Sequence, residues 1–188
     1  MKKLSKNSMK ILITGCHGFI GSNLSILLKK KKYDLYGIGN PRKNIKKNSF
    51  NYIKTINGTI KKNKIRKFKI KFDFAVHCAG SGKVGLSKNM DYHKNINSTI
   101  GLLEYARLYN RKLKIILLSS AAVYGNNKTK FTEKTNINPI SIYGKNKFLA
   151  EKKCHAYSKK FKLNITILRL TSIFGKGLDK QLIFECCK

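Results

Sequence analysis

The apolar residues of this chain come in strand-length runs that alternate with helical patterns, and this alternation restricts the fold more than any other feature. A buried strand is predicted at Lys10–Thr14, an amphipathic helix at 19–31 and a second strand at 34–38. Alternating strands and helices favour right-handed crossovers and a parallel sheet covered on both faces. The sequence therefore predicts a doubly wound α/β fold.

The same alternation continues toward the end of the chain without an internal repeat or a low-complexity linker. Further strands are predicted at 52–55, 73–77, 114–119 and 165–170, and further helices at 95–109 and 141–160. The lysine-rich stretch from Ile45 to Lys71 contains Phe50, Tyr52, Ile53 and Phe68, which indicate a segment docked on the surface. Residues 1–9 are expected to form a flexible basic tail and residues 10–188 one domain.

No run of the sequence approaches the roughly 18–20 apolar residues that a membrane-spanning helix needs. The basic start leads into a short strand and a glycine turn, which is not the pattern of a signal peptide. A cytoplasmic protein without a membrane partner is expected.

The net charge is +33, from 41 Lys and Arg against 8 Asp and Glu. A polyanion partner is one explanation, but it predicts basic side chains gathered on one stripe with aromatic residues between them. Lysine is instead spread from end to end, which favours a solvated basic surface. Non-specific contact with polyanions, weakened by salt, is expected in either case.

The five cysteines include no C-x-x-C pair and no histidine at ligand spacing. Neither a disulfide framework nor a metal site is predicted. Cys16 and Cys78 are interpreted as small filling side chains.

A glycine-rich turn, Thr14–Gly21, follows the first strand directly and opens the first helix. Its G-x-x-G-x-x-G spacing permits close backbone approach, and the N–H groups and dipole of a helix start attract a pyrophosphate. The alternative is a tight turn with no ligand. The dinucleotide interpretation predicts a set of cofactor contacts at Gly15, His17, Gly18, Phe19, Ile20 and Gly21.

Tyr143 and Lys147 stand four residues apart in a predicted helix, about 6 Å along its axis and on one face. An ammonium close to a phenol favours phenolate and lowers the phenol pKa from about 10 toward about 7, where acid/base exchange is efficient. Because Y-x-x-x-K is a short pattern, chance is the alternative when it is taken alone.

Several motifs in this order resemble the extended short-chain dehydrogenase/reductases, the NAD-dependent epimerases and dehydratases that act on nucleotide sugars. Besides the glycine turn and the Tyr143–Lys147 pair, four segments carry the resemblance: Asp73–Ala79, Asn95–Thr99, Ser119–Gly125 and Arg169–Gly175. The family's fold is a Rossmann domain. Its implied substrate is a nucleotide sugar, and a homodimer is an open expectation.

The resemblance also implies roles for individual residues. Tyr143 would exchange the proton of a substrate hydroxyl or carbonyl, Lys147 would also bind the nicotinamide ribose, and Ser120 would hold the same substrate oxygen, leaving Ser119 without a role. Asn95 matches the family's helix-positioned asparagine, with an N-cap as its alternative. Ala79 falls at the cofactor, and His77 is interpreted as a packed strand-end residue.

The pattern departs from the family at the cofactor's adenosine end. The acidic residue expected near residues 38–40 to bind the ribose 2′-hydroxyl is absent. Asn40 and then Arg42 stand there, so either NAD or NADP is expected, with NADP slightly favoured. Ala121 and Ala122 replace the acidic pair of dehydratases, which leaves epimerisation, keto-sugar reduction or hydroxyl oxidation.

Family members continue into a small substrate-binding domain, whereas this chain stops inside a predicted helix, Leu178–Lys188. A truncated Rossmann domain is therefore expected, and whether this form is active stays open. The alternatives are a non-catalytic basic module that binds RNA or another polyanion, and an inactive remnant.

Overall fold

The computed structural model of the protein describes residues 8–41, 52–80, 93–126, 130–175 and 177–178. Six strands are present in these ranges: β1 (Lys10–Thr14), β2 (Asp34–Gly39), β3 (Lys54–Asn57), β4 (Phe74–His77), β5 (Lys114–Ser120) and β6 (Asn164–Leu170). The helices are α1 (Phe19–Lys30), α2 (Lys62–Arg66), α3 (Ser98–Tyr109) and α4 (Ile142–Phe161). A π-helical turn, His93–Asn97, leads into α3, and a 3-10 turn, Ala121–Tyr124, follows β5.

All six strands lie in one parallel sheet with the order β3-β2-β1-β4-β5-β6. The chain proceeds outward from β1 in one direction and from β4 in the other, so the strand order reverses between these two neighbours. In such sheets, ligands bind beyond the carboxyl ends of the strands at this reversal. The predicted doubly wound fold is confirmed, and the reversal gives the site its position.

Helices pack on both faces of the sheet. On one face, Ile20, Leu24 and Leu28 of α1 pack against the apolar cluster that contains Ile11 and Ile13 of β1. On the other face, α2, α3 and α4 bury a larger cluster, to which they contribute Ile65, Leu102, Leu103, Tyr105, Ala150 and Cys154. Apolar burial on the two faces holds β1 and β4 in the centre of the sheet.

Strand β6 lies at the sheet edge and is covered unevenly. Ile165 and Ile167 pack against the cluster below α4, whereas Leu168 is 42% exposed. Because successive side chains of a strand point to opposite faces, Leu168 lies on the face opposite Ile167; on that face Leu170 packs against the cluster of Ile11 and Ile13, while Leu168 is left uncovered by the described residues.

Most predicted bounds hold within one or two residues; the differences lie in the basic segment and at the start of α3, where a π-helical turn, His93–Asn97, replaces the first predicted residues. Strand β3 starts at Lys54 rather than residue 52, and the five-residue α2 was not predicted. Tyr52 and Phe68 pack inward, as expected of a docked segment, whereas the side chain of Ile53 is 46% exposed and takes little part in that packing. A helix of barely more than one turn has too few positions to show a helical period.

Some sequence predictions fall outside the described residues. These are Arg42, Phe50, the first seven residues of the tail, and the final helix beyond Leu178. Of the remaining tail, Ser8 donates a hydrogen bond to Lys32 O, and Met9 O accepts one from Asp34 N.

The described cysteines, Cys16, Cys78 and Cys154, are free thiols. Burial raises the pKa of each to about 12, which keeps them protonated and unreactive near neutral pH. Across the described ranges, no three His, Cys, Asp or Glu side chains are placed to hold a metal ion, and no helix is both long and apolar enough to cross a bilayer.

Candidate functional site

A cavity of about 310 Å³ lies at the carboxyl ends of β1, β4 and β5, where the strand order reverses. Its wall combines the glycine turn, the ends of the central strands and the start of α4. The residues that line it are Gly15, Gly18, Phe19, Ile20, Gly21, Cys78, Gly80, Leu118, Ser119, Ser120, Tyr143, Lys147, Leu170, Thr171, Ile173 and Leu178. One cavity therefore joins the two motifs that the sequence singled out.

The glycine turn fits a close-lying ligand because side chains are excluded from it. Gly15 has φ +65°, and a Cβ there would lie 2.8 Å from Ala79 N. A Cβ at Gly21 would lie 2.5 Å from Gly15 O. Gly18 caps α1 without a side-chain hydrogen bond, and the first turn carries no acidic residue. No side chain of this turn therefore neutralises the positive end of the helix dipole, which favours an anion at this position.

Tyr52 supports the glycine turn from behind. Its phenol donates to Gly21 O at 2.9 Å and lies 3.3 Å from Cys16 O. Burial raises the pKa of this phenol, so it remains a neutral donor. From the sequence, Tyr52 was assigned to the surface segment and to the start of a short strand, since nothing local shows that residue 52 reaches back to residue 21.

The start of α4 is fixed in place next to the end of β5. The Ser141 side chain caps the helix by accepting from Gly144 N at 3.0 Å. Gly144 packs so closely that a Cβ there would lie 2.5 Å from Ala122 O. This contact holds Tyr143 beside the turn that follows Ser120.

Lys147 is buried one turn after the half-buried Tyr143. Its Nζ donates to Leu118 O at 2.8 Å and lies 5.8 Å from the centroid of the Tyr143 ring. The ammonium thus lies beside the Tyr143 ring, and the strand carbonyl holds it at the cavity wall.

Ser120 ends β5 and caps the 3-10 turn, where its hydroxyl accepts from Ala122 N at 3.2 Å. It lines the same cavity as Tyr143 and Lys147. The three residues predicted to carry chemistry are therefore brought together.

His77 lies below the cavity in a directional chain of hydrogen bonds. Thr14 Oγ1 accepts from Ala79 N at 3.3 Å and lies 2.7 Å from His77 Nδ1. On the other side, His77 Nε2 lies 3.1 Å from Thr99 Oγ1, which donates to Asn95 O at 2.7 Å. Because Thr99 donates its hydroxyl hydrogen to that carbonyl, we infer a His77 tautomer with the hydrogen on Nε2 and with Nδ1 accepting from Thr14.

Burial, and then the charge of Lys147, lower the pKa of His77 to about 3, so the ring stays neutral. It ties the start of the glycine turn to the helix that carries Asn95. This arrangement matches the interpretation of His77 as a packed strand-end residue.

Asn95 is buried and lies close to the cavity wall at Gly80. Gly80 was not predicted from the sequence as part of the site. A Cβ at Gly80 would lie 2.7 Å from Asn95 Oδ1 and 3.3 Å from Lys147 Nζ. Ala79, the predicted cofactor contact, is buried beside Gly80. The position of Gly80 after the β4 motif was the available signal for it.

Four predicted cofactor contacts in the described part of the chain do not line the cavity: His17, Asn40, Ala79 and Asn95. His17 is buried, and this burial lowers the pKa of its ring. Asn40 is exposed just after β2. In contrast, Cys78, Leu118 and Leu170 line the cavity without having been predicted, because Cys78, just after β4, and the two strand leucines carry no chemical signature in the sequence.

The fold and the site together define the dinucleotide-binding class of doubly wound α/β domains. Residues 11–185 match the model of the NAD dependent epimerase/dehydratase family. The chain belongs to this family, and the sequence-based resemblance is confirmed.

Several relatives can be compared with the chain in sequence and structure. YtcB of Bacillus subtilis (strain 168), described as an uncharacterized UDP-glucose epimerase, is 33% identical over 94% of this chain. CDP-paratose 2-epimerase of Salmonella typhi is 31% identical over 89%. The crystal structure of UDP-glucuronic acid 4-epimerase from Bacillus cereus in complex with NAD superposes with a TM-score of 0.74, at 31% identity over 89% of this chain.

The matched region is a part of each relative. It covers 60% of YtcB, 58% of the paratose epimerase and 58% of the Bacillus cereus epimerase chain. The chain thus spans well under two thirds of their length.

Proposed function

We propose that the protein binds a nicotinamide dinucleotide in the cavity and acts on a nucleotide sugar, by epimerisation or by interconversion of a hydroxyl and a keto group. The observation that carries this proposal is the shared cavity wall, in which the glycine turn and the Ser120, Tyr143 and Lys147 side chains face one space. Neither the glycine turn alone nor the three polar side chains alone would support chemistry on a sugar.

The cofactor fits the residues that are present. Gly15, Gly18 and Gly21 leave room for its phosphates at the start of α1, and the Lys147 ammonium suits a ribose hydroxyl. When bound, the nicotinamide supplies hydride transfer. Asn40, in place of an acidic residue, and Arg42 support NADP slightly over NAD.

The chain's own residues would handle the proton. Tyr143 takes or returns the proton of the sugar oxygen, and the ammonium of Lys147 stabilises the phenolate in the interval. Ser120 donates a hydrogen bond to the same oxygen and keeps it within reach of the phenol. Asn95, buried beside Lys147, would hold this part of the wall in place.

The substrate class rests on the relatives. Their names specify UDP-glucose, UDP-glucuronate and CDP-paratose, all of which are sugars joined to a nucleoside diphosphate. Ala121 and Ala122 disfavour dehydration, which leaves epimerisation or oxidation and reduction. No finding supports the alternative of a non-catalytic module that binds RNA or another polyanion.

Turnover of UDP-sugars with NAD or NADP present, followed by product analysis, tests this proposal. The unmodified chain should convert at least one such sugar, and Tyr143→Phe should abolish conversion while leaving cofactor affinity nearly unchanged. Equal turnover by Tyr143→Phe would remove the phenol from the mechanism.

A further inference from the structure

The side chain of Glu151 is fully buried, in a chain that has only eight acidic residues. It lies on α4 one turn beyond Lys147 and two turns beyond Tyr143. A buried carboxylate needs charged and hydrogen-bonding partners, so its contacts indicate what it holds in place.

Arg169 of β6 neutralises this carboxylate. Its Nη2 donates to Glu151 Oε2 at 2.8 Å and its Nε to Oε1 at 3.1 Å, which is a two-pronged contact. The remaining Nη1 donates to the Tyr124 hydroxyl at 2.9 Å, and the guanidinium lies 4.9 Å from the Tyr124 ring centroid. Glu151 thereby joins α4, β6 and the 3-10 turn.

The same carboxylate accepts from the Ser119 hydroxyl at 2.5 Å. The two neighbours of Ser119 both belong to the candidate site: Leu118 presents its carbonyl to Lys147, and Ser120 presents its hydroxyl to the cavity. A displacement of Ser119 would move both neighbours relative to α4.

We propose that Glu151 is a positioning residue: held by Arg169, it anchors Ser119 and thereby sets Leu118 and Ser120 against Lys147 and Tyr143. This inference rests on the proposed function of those residues. It also gives Ser119, which sequence reasoning left without a role, a part in the geometry of the site.

Glu104 provides a matched control elsewhere in the molecule. It also accepts two hydrogen bonds from one arginine, Arg107, and one from a hydroxyl, Tyr157. This second cluster joins α3 to α4 and is not part of the cavity wall. Glu104→Gln therefore removes the same kind of interaction without touching the site.

The test measures the titration midpoint of the Tyr143 phenol, which depends on how closely Lys147 is held to it. Ultraviolet titration at tyrosinate wavelengths, with the Tyr143→Phe spectrum subtracted in each background, gives the titration midpoint of this one phenol among nine tyrosines. Ser119→Ala and Glu151→Gln should each raise the midpoint because Lys147 is held less closely, and Glu104→Gln should leave it unchanged. Where turnover is measured, kcat should fall by up to about 100-fold with little change in the KM for cofactor.

The unfolding and titration measurements together distinguish a positioning role of Glu151 from a purely structural one. If Ser119→Ala lowers the free energy of unfolding but leaves the Tyr143 midpoint in place, Glu151 is only structural and the inference is wrong. Should Glu151→Gln fail to fold, the milder Ser119→Ala decides alone. A midpoint that moves in a chain that binds no cofactor would uphold the positioning role and reject the proposed function.

Discussion

Lys147 Nζ donates a hydrogen bond to Leu118 O at 2.8 Å, which joins a buried helix cation to the end of the neighbouring strand. The contact crosses from α4 to β5 and holds the ammonium 5.8 Å from the centre of the Tyr143 ring. The cation is thus fixed by the fold before any ligand is present.

Lys147→Met should lower turnover of a nucleotide sugar by about 100-fold or more, because the phenol loses the charge that favours its ionised form. Cofactor affinity should also decrease, since the ammonium faces the cavity. Lys145→Met is the control, as Lys145 is exposed on the same helix. Steady-state kinetics that gave the two variants equal rates would contradict the assigned role of Lys147.

Gly15→Ala should destabilise the protein and abolish cofactor binding. The change forces a side chain into φ +65° and brings a Cβ to 2.8 Å from Ala79 N. Gly177→Ala isolates the backbone strain, because φ there is +86° and no atom of the described residues lies within 4 Å of the added Cβ. Denaturant unfolding should give a loss of at most about 1–2 kcal/mol for Gly177→Ala and a larger loss for Gly15→Ala. Equal losses of unfolding free energy in the two variants would show that the glycine turn accommodates a Cβ at residue 15 without a steric clash.

His77 should make stability depend on pH. Its pKa is about 3 in the folded protein and near 6.5 when unfolded, so the unfolded chain binds more protons between these values. Stability is therefore fully present above pH 6.5 and falls as the pH drops toward 3, by up to about 1.4 kcal/mol per pH unit. Denaturant unfolding of His77→Gln should give a flatter pH profile over this window. An unchanged profile would mean that the ring is not held neutral.

The tautomer of His77 can be measured separately. Nitrogen NMR of the labelled ring should show a protonated Nε2 and an unprotonated Nδ1, because the Thr99 hydroxyl donates to Asn95 O and is left to accept from Nε2. A protonated Nδ1 would reverse the direction of the hydrogen-bond chain.

The ionised Glu104 carboxylate should also stabilise the folded protein, by less than His77 does and with its pH dependence at lower pH. Hydrogen bonds from Arg107, followed by that of Tyr157, lower the pKa of its carboxyl to about 2. The contribution is present above the unfolded value near 4.5 and is lost as the pH falls through about 2. Since this carboxylate is partly exposed to solvent, Glu104→Gln should cost only about 0.5–1 kcal/mol at neutral pH. The difference from the unmodified chain should shrink between pH 5 and 2, as measured by denaturant unfolding.

The sequence allowed much of this architecture to be predicted because the relevant signals are local. The Thr14–Gly21 turn shows its strand, glycines and helix within a few residues, and the four-residue spacing of Tyr143 and Lys147 already places them on one helix face. Both predictions depend only on neighbours along the chain.

The parts that were missed depend on contacts between distant segments. Arg169 and Glu151 are 18 residues apart on different elements, and Tyr52 reaches back 31 residues to Gly21. No local pattern distinguishes these side chains from others of their type. Only the assembled sheet and helices bring them together.

Calorimetric titration of the unmodified chain with NADH and NADPH tests the central claim most directly, with Gly15→Ala as the matched control. Saturable binding of at least one of the two, with a Kd below the millimolar range and loss of binding in Gly15→Ala, is the predicted result. If neither cofactor binds in that range, or if Gly15→Ala binds as tightly as the unmodified chain, the glycine turn is not a dinucleotide site.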